Sequence, residues 1–230
     1  MRFFIKRNKS LTRRVLLAGA LAVSASAVVP VSAQQKPGDN ALTARRVFET
    51  LQDPSLEVLK PTTRLDMLDY WDVDSVYKAK NVLDGVSWLE NVAPDYLKVH
   101  VSPVSDLEIK LLPSKKGDVV MTIYTVGGDG QARDSYVSFY DSSLRPLDRG
   151  LYLKEPPLRN LFSIPKGSEV TVKEIETIVP FATVEYSARP GDTAIEARLT
   201  VADFLGQEDY ERISPLLRDK VEMMWKDGYK

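Results

Sequence analysis

Between residues 96 and 113 the chain alternates strictly. Leu97, Val99 and Val101, then Leu107, Ile109 and Leu111, stand at every second position, with Tyr96, Lys98, His100 and Ser102, then Glu108 and Lys110, between them. A two-residue period sends successive side chains to opposite faces of an extended strand, so each run buries its apolar set only as a strand with one face on a core. A helix would scatter the same residues around its axis. Residues 119–126 and 135–141 are more apolar on both sides, the pattern of central strands covered twice, and residues 127–134 between them read as a hairpin loop.

Upstream the period is helical. Ala44, Val47, Phe48 and Leu51 follow the i, i+3, i+4, i+7 spacing of one helix face, and Asp53-Pro54 is expected to end that helix. A second helix is expected to open at Thr63, which with Asp66 resembles a capping box, and to bring Leu65, Leu68 and Trp71 to one face. Downstream, Val172, Ile175, Ile178 and Val179 fall at helical spacing, residues 207–213 read as a helix, and Ser214-Pro215 opens a further turn. Residues 183–189 and 193–204 form the clearest hairpin, because Pro190-Gly191 supplies the fixed φ and the positive φ of a type II turn. Residues 221–225 are expected to return as a final strand. The fold class expected is therefore α+β: antiparallel sheet meanders with a few short helices packed to one side. It extends over residues 41–230, as a single domain or as two sub-modules of about 41–150 and 151–230.

The first 33 residues differ in kind. Six bases and no acid precede a small-residue apolar stretch over 15–29, then Pro30 and Val31-Ser32-Ala33, which is the tripartite pattern of a cleaved secretory signal peptide. The stretch is short of the roughly 20 apolar residues that span a bilayer, so no membrane span is expected after cleavage. Residues 34–40 read as a polar linker. The whole chain has 31 Lys and Arg against 32 Asp and Glu; without the leader, 25 bases face 32 acids, a net charge of −7. That balance repels phosphate backbones, and nucleic acid is not an expected partner. The absence of cysteine excludes a lipid-anchored amino terminus, a thiol nucleophile and any thiolate metal site.

Other chemistries find little support. His100 is the sole histidine and is expected at a solvated position on the polar side of its strand. Gly85-Val86-Ser87-Trp88-Leu89 lacks the second glycine of a nucleophile elbow, and the loop at 127–134 lacks the Lys-Ser or Lys-Thr of a phosphate cradle. No metal-ligand spacing is evident, and no cofactor is expected. Asp66, Asp69, Asp72 and Asp74 make an acidic cluster that suits a solvated helix start better than a metal loop. Asp66 and Asp69 are the catalytic carboxylates to consider if the protein is a hydrolase.

The run Arg64-Leu65-Asp66-Met67-Leu68-Asp69, then Tyr96-Leu97, Lys110-Leu111-Leu112-Pro113, Thr125-Val126, Asp134-Ser135, Phe139-Tyr140-Asp141 and Pro146-Leu147, with Trp225-Lys226-Asp227-Gly228-Tyr229 at the end, resembles the DUF3256 family of exported Bacteroidales proteins. The resemblance covers most of residues 60–150 and implies export to the periplasm or cell surface. It carries no catalytic residues. The function expected is thus a non-enzymatic cell-envelope protein that binds an envelope protein or glycan. Trp88, Tyr96, Asp129 and Asp134 are the candidate ligand-surface residues. The alternative is a carboxylate-dependent hydrolase of envelope glycans built on Asp66 and Asp69 or on the 127–134 loop.

Overall fold

The computed structural model describes residues 41–128 and 132–229, so the expected signal peptide and the whole of the linker lie outside the described residues. Two antiparallel sheets organise them. The larger is a meander in sequence order, β1 (Ala79–Lys80), β2 (Val86–Ala93), β3 (Tyr96–Ser102), β4 (Ser105–Leu112), β5 (Val119–Val126), β6 (Asp134–Tyr140) and β7 (Pro146–Leu147). The smaller, in the order β10-β9-β8, comprises β8 (Val184–Ala188), β9 (Ile195–Leu199) and β10 (Val221–Met223). Five short helices accompany them: α1 (Ala44–Thr50), α2 (Pro61–Asp72), α3 (Arg149–Tyr152), α4 (Val172–Ile178) and α5 (Gln207–Ile213). The α+β class expected from the sequence is what the chain adopts. Among the described residues no helix is long and apolar enough to cross a membrane.

The large sheet is covered on both faces. Leu97, Val99, Val101, Leu107 and Ile109 point to one side, where Ala44, Val47 and Phe48 of α1 and Met67 and Leu68 of α2 complete a core. Met121, Ile123, Val137 and Phe139 point to the other, where they meet Tyr186, Ile195, Ala197 and Met223 of the small sheet. A third cluster joins Ile175 of α4 and Ile213 of α5 to Leu199 and Val201.

This second covering layer corrects one expectation. The polar positions of β4 are not solvated: Glu108 is 7% exposed and Lys110 is 1% exposed. β6 departs in the opposite sense, because Asp134 and Tyr136 on its outer side are exposed while Ser135, Val137 and Phe139 are buried.

β2 carries no clear two-residue signal, and the reason is a bulge. Its partners step from Leu89↔Val99 to Asn91↔Lys98, so Glu90 is an extra residue without a partner. The inward Leu89 and Val92 are therefore three apart, which looks helical rather than extended.

α2 also begins earlier than expected, at Pro61 rather than Thr63, with Lys60 as a cap that makes no side-chain bond. The Thr63–Asp66 capping box does not form, because both residues already lie inside the helix. The buried face is Arg64, Met67 and Leu68, and Leu65 is 48% exposed. A genuine capping box occurs at α4, between Thr171 and Glu174.

Arg64 explains the shifted face. Its Nη1 donates to the carbonyls of Phe48 at 2.8 Å and Leu51 at 3.0 Å, which are among the unpaired acceptors at the end of α1. Burial lowers its pKa, so the charge is held against a desolvation cost by those two bonds. Arg64→Met is expected to lower stability by about 2 kcal/mol, since two charge-assisted bonds are lost while one buried charge is relieved. Denaturant unfolding checks this, and an unchanged midpoint would show that water can cap α1 instead.

The small sheet docks edge-on. β8 pairs with β9 on one side only, and three alternate N–H groups on its other edge are taken by side chains of the large sheet. Val184 donates to Asp134 Oδ1 at 3.1 Å, Tyr186 to Ser135 Oγ at 2.9 Å and Ala188 to Glu108 Oε2 at 2.8 Å. An edge strand that would otherwise offer open donors is thereby closed. The Pro190-Gly191 turn, with Gly191 at φ 73°, has the left-handed residue expected of a type II turn. It is clamped by Asp95, which accepts from Gly191 N at 3.0 Å and pairs with the buried Lys110.

Candidate functional site

The face of the large sheet beneath the small one divides into two halves. Across β3, β4 and β5 one row reads Lys98, Glu108 and Ile123, and another reads Tyr96, Lys110 and Met121, so polarity falls from β3 toward β5. The small sheet covers the apolar half and the buried Glu108 and Lys110. Beyond its edge the polar half opens as a cleft of about 720 Å³, lined by Trp88, Glu90, Lys98, His100, Pro103, Ser105, Asp106, Arg133, Glu185 and Arg198.

Antiparallel pairing places these residues. Trp88, His100 and Asp106 lie directly opposite one another on β2, β3 and β4. His100 Nδ1 is 2.8 Å from Asp106 Oδ1, and Arg133 Nη2 donates to Asp106 Oδ2 at 2.6 Å. Arg133 Nε lies 2.9 Å from Glu185 Oε1, and Arg198 donates to Glu185 Oε2 at 2.5 Å, so the chain of charges crosses from the large sheet to the small one. Lys98 Nζ pairs with Glu90 Oε2 at 2.8 Å. Burial works against the charges of Lys98 and Arg133, but the facing carboxylates outweigh it and hold both pKa values above their ordinary level.

Gly127 lets this network close. Its φ of 128° is left-handed, and a Cβ there would sit 2.4 Å from the Ala132 carbonyl oxygen and 2.9 Å from Arg133 Cα. With glycine, the two ends of the loop approach closely enough for Arg133 Nη1 to donate to Gly127 O at 3.2 Å.

The residues named from the sequence fare unequally. Trp88 does line the cleft, but its ring is not an open platform: His100 stacks on it at 3.8 Å between centroids, and Lys78 Nζ lies over the ring at 4.8 Å. The two groups together cover much of the ring. Tyr96 is 4% exposed, with its hydroxyl bonded to Glu108. Burial and that carboxylate hold its pKa well above the usual phenol range. Asp134 is exposed, and its Oδ1 is committed to the backbone of Val184 and Ser135. Asp129 lies outside the described residues. Asp66 and Asp69 are exposed on α2 and do not line the cleft. His100, expected in solvent, is instead half-buried between Trp88 and Asp106.

Glu90, Lys98, Asp106, Glu108, Arg133, Glu185 and Arg198 were not named as site residues. A signal existed for some of them. If residues 102–105 make a tight turn, the register sets Lys98 opposite Glu108 and His100 opposite Asp106, two cross-strand pairs of complementary charge. Arg133, Glu185 and Arg198 arrive from other elements and leave no such trace.

Burial also pushes the Glu108 carboxyl up to about 7, against the opposing pull of the Ala188 N–H, Lys98 and the Tyr96 hydroxyl. The carboxylates lining the cleft each face a cation, an arrangement suited to holding a polar ligand by exchange of partners.

A family model described as a protein of unknown function, DUF3256, matches residues 38–229. The chain belongs to the DUF3256 family. The family match takes in the cleft and both sheets. No curated protein matches the chain. A solved structure of a domain of an uncharacterized protein from Porphyromonas gingivalis W83 is similar, with a TM-score of 0.65 and 17% identity over 80% of this chain and 95% of that one. At that identity the likeness is one of fold.

Proposed function

We propose that this DUF3256 protein is an exported, non-enzymatic binding module of the cell envelope, and that its ligand site is the cleft between the two sheets. The basic, apolar and small-residue tripartition of residues 1–33 supports export to the periplasm or cell surface. The observation that carries the binding reading is the cleft itself, with alternating cations and carboxylates on strands held rigidly by two cores. Because His100 and Lys78 lie against the Trp88 ring and Tyr96 is buried, recognition rests on charge and hydrogen bonding rather than on sugar stacking. A ligand bearing both carboxylates and amines matches such a surface.

The placement of Asp66 and Asp69 does not favour the hydrolase. Asp66 and Asp69 are solvated on a helix surface, whereas a general acid needs a carboxyl raised by burial and facing substrate.

The test is an amide-shift titration of the full chain with muropeptides, the zwitterionic glycan–peptide fragments of the cell wall. Shifts are expected at residues 88–106, 133, 185 and 198, weakened about tenfold in Arg198→Ala, where an exposed rim cation is removed. Release of product, or shifts confined to α2 around Asp66 and Asp69, would overturn the binding reading in favour of the hydrolase.

A further inference from the structure

One residue set in the cleft has a chemistry of its own. Donor atoms of Glu90, His100 and Asp106, one from each, lie within 4.8 Å of one another. They come from three adjacent strands and share one face of the sheet. His100 and Asp106 are cross-strand partners, and Glu90 is the extra residue of the β2 bulge, the kind of irregularity that re-aims a side chain beside a site.

We propose that Glu90, His100 and Asp106 form a three-ligand site for a divalent first-row transition metal ion such as Zn2+. The inference rests on the cleft as ligand site and gives that ligand a chemical class. Donors about 2.0–2.2 Å from a tetrahedral ion are about 3.3–3.6 Å apart. The His100 and Asp106 donors, at 2.8 Å, and the third within 4.8 Å reach that spacing with shifts of about 1 Å, available to the exposed Glu90 through its own rotamers. An ion between His100 Nδ1 and Asp106 Oδ1 leaves the ring proton on Nε2. Imidazole among the donors selects against calcium and magnesium, which take oxygen ligands.

The surroundings resemble the outer support of a metal centre. The Trp88 ring fixes the plane of His100, and Arg133 holds Oδ2 of Asp106 while being itself held by Glu185. Lys98 pairs with Oε2 of Glu90, so each carboxylate is anchored through one oxygen and carries a second. With three protein donors, a fourth position stays open to the cleft, where a carboxylate or amine of a bound ligand would complete the shell.

Isothermal titration of the full chain with ZnCl2, and separately with CaCl2, tests the assignment, with Trp88 emission as a second readout because that ring touches His100. The expected result is one zinc ion per chain, no calcium binding, and a change in tryptophan emission on titration. Affinity should fall by about tenfold or more in His100→Gln and in Glu90→Gln, the latter an exposed substitution that does not endanger folding. Absence of zinc binding at concentrations on the order of 1 mM, or binding that both variants retain, would overturn it. The muropeptide titration is run in chelator, so its shifts persisting without zinc binding would remove the metal assignment alone, and loss of both would remove the cleft reading with it.

Discussion

Asp95→Ala is expected to lower folding stability by about 3 kcal/mol, the lower end of the range for removing one partner of a buried ion pair. Lys110 is 1% exposed, and among the described residues its Nζ bonds to Asp95 Oδ2 and to the Arg189 carbonyl at 2.9 Å. Without Asp95 the ammonium stays buried with one neutral acceptor, and the Pro190-Gly191 turn loses its bond to the large sheet. Asp95 itself is 35% exposed, which lets water reach the vacated space and keeps the loss from the upper end. In a Lys110→Met background the same substitution should cost only about 1 kcal/mol, the worth of the Gly191 hydrogen bond alone. A double-mutant cycle by urea unfolding measures the difference. Equal costs in the two backgrounds would show that Asp95 acts on the turn and not on the buried lysine.

Glu108→Gln is expected to make the protein more stable than wild type above pH 7 and to flatten its pH dependence. The folded carboxyl titrates near 7 against an ordinary value of 4.5. Between those values the folded state binds more protons than the unfolded one, so stability contributed by protonated Glu108 is full below about pH 4.5 and is lost as pH rises through 7. The loss amounts to about 3 kcal/mol. Desolvation is the first cause, and the groups facing the carboxyl are Tyr96 and Lys98 from β3, Asp106 from its own strand and the Ala188 N–H from β8. Glutamine keeps an acceptor for the Ala188 N–H and reverses the Tyr96 bond, its amide donating to the phenolic oxygen, while carrying no charge. Unfolding free energies from pH 4 to 8, measured in chelator so that Asp106 is metal-free, test the point. Parallel curves for wild type and variant would mean that the carboxyl ionises without penalty, through water that enters beneath the small sheet.

Asp95 and Glu108 lie at the same seam between the two sheets, which no local sequence pattern specifies. The strands at 96–102 and 105–112, the helix at 44–50 and the Pro190-Gly191 hairpin are legible because each is set by a local period or by a turn residue whose backbone preference is strong. The bulged β2 is not, since a single extra residue at Glu90 puts its two apolar halves out of phase. The start of α2 is misread because Thr63 and Asp66 satisfy a capping pattern that the preceding Pro61 makes unnecessary.

By itself the amino-acid sequence determined the α+β class, the meander order, the resemblance to the family that the match over residues 38–229 bears out, and the helical face of α1. These follow from interactions between residues near one another in the chain. Whether Glu108 and Lys110 meet water, how much of the Trp88 ring is open, and which charges gather around His100 were decided by the small sheet settling on the large one, which joins residues 80 and 96 positions apart in the Ala188–Glu108 and Gly191–Asp95 bonds. Burial and the charge of neighbours belong to that packing, and they are what turned an alternating polar strand face into a charged cleft with a carboxyl titrating near 7 beside it.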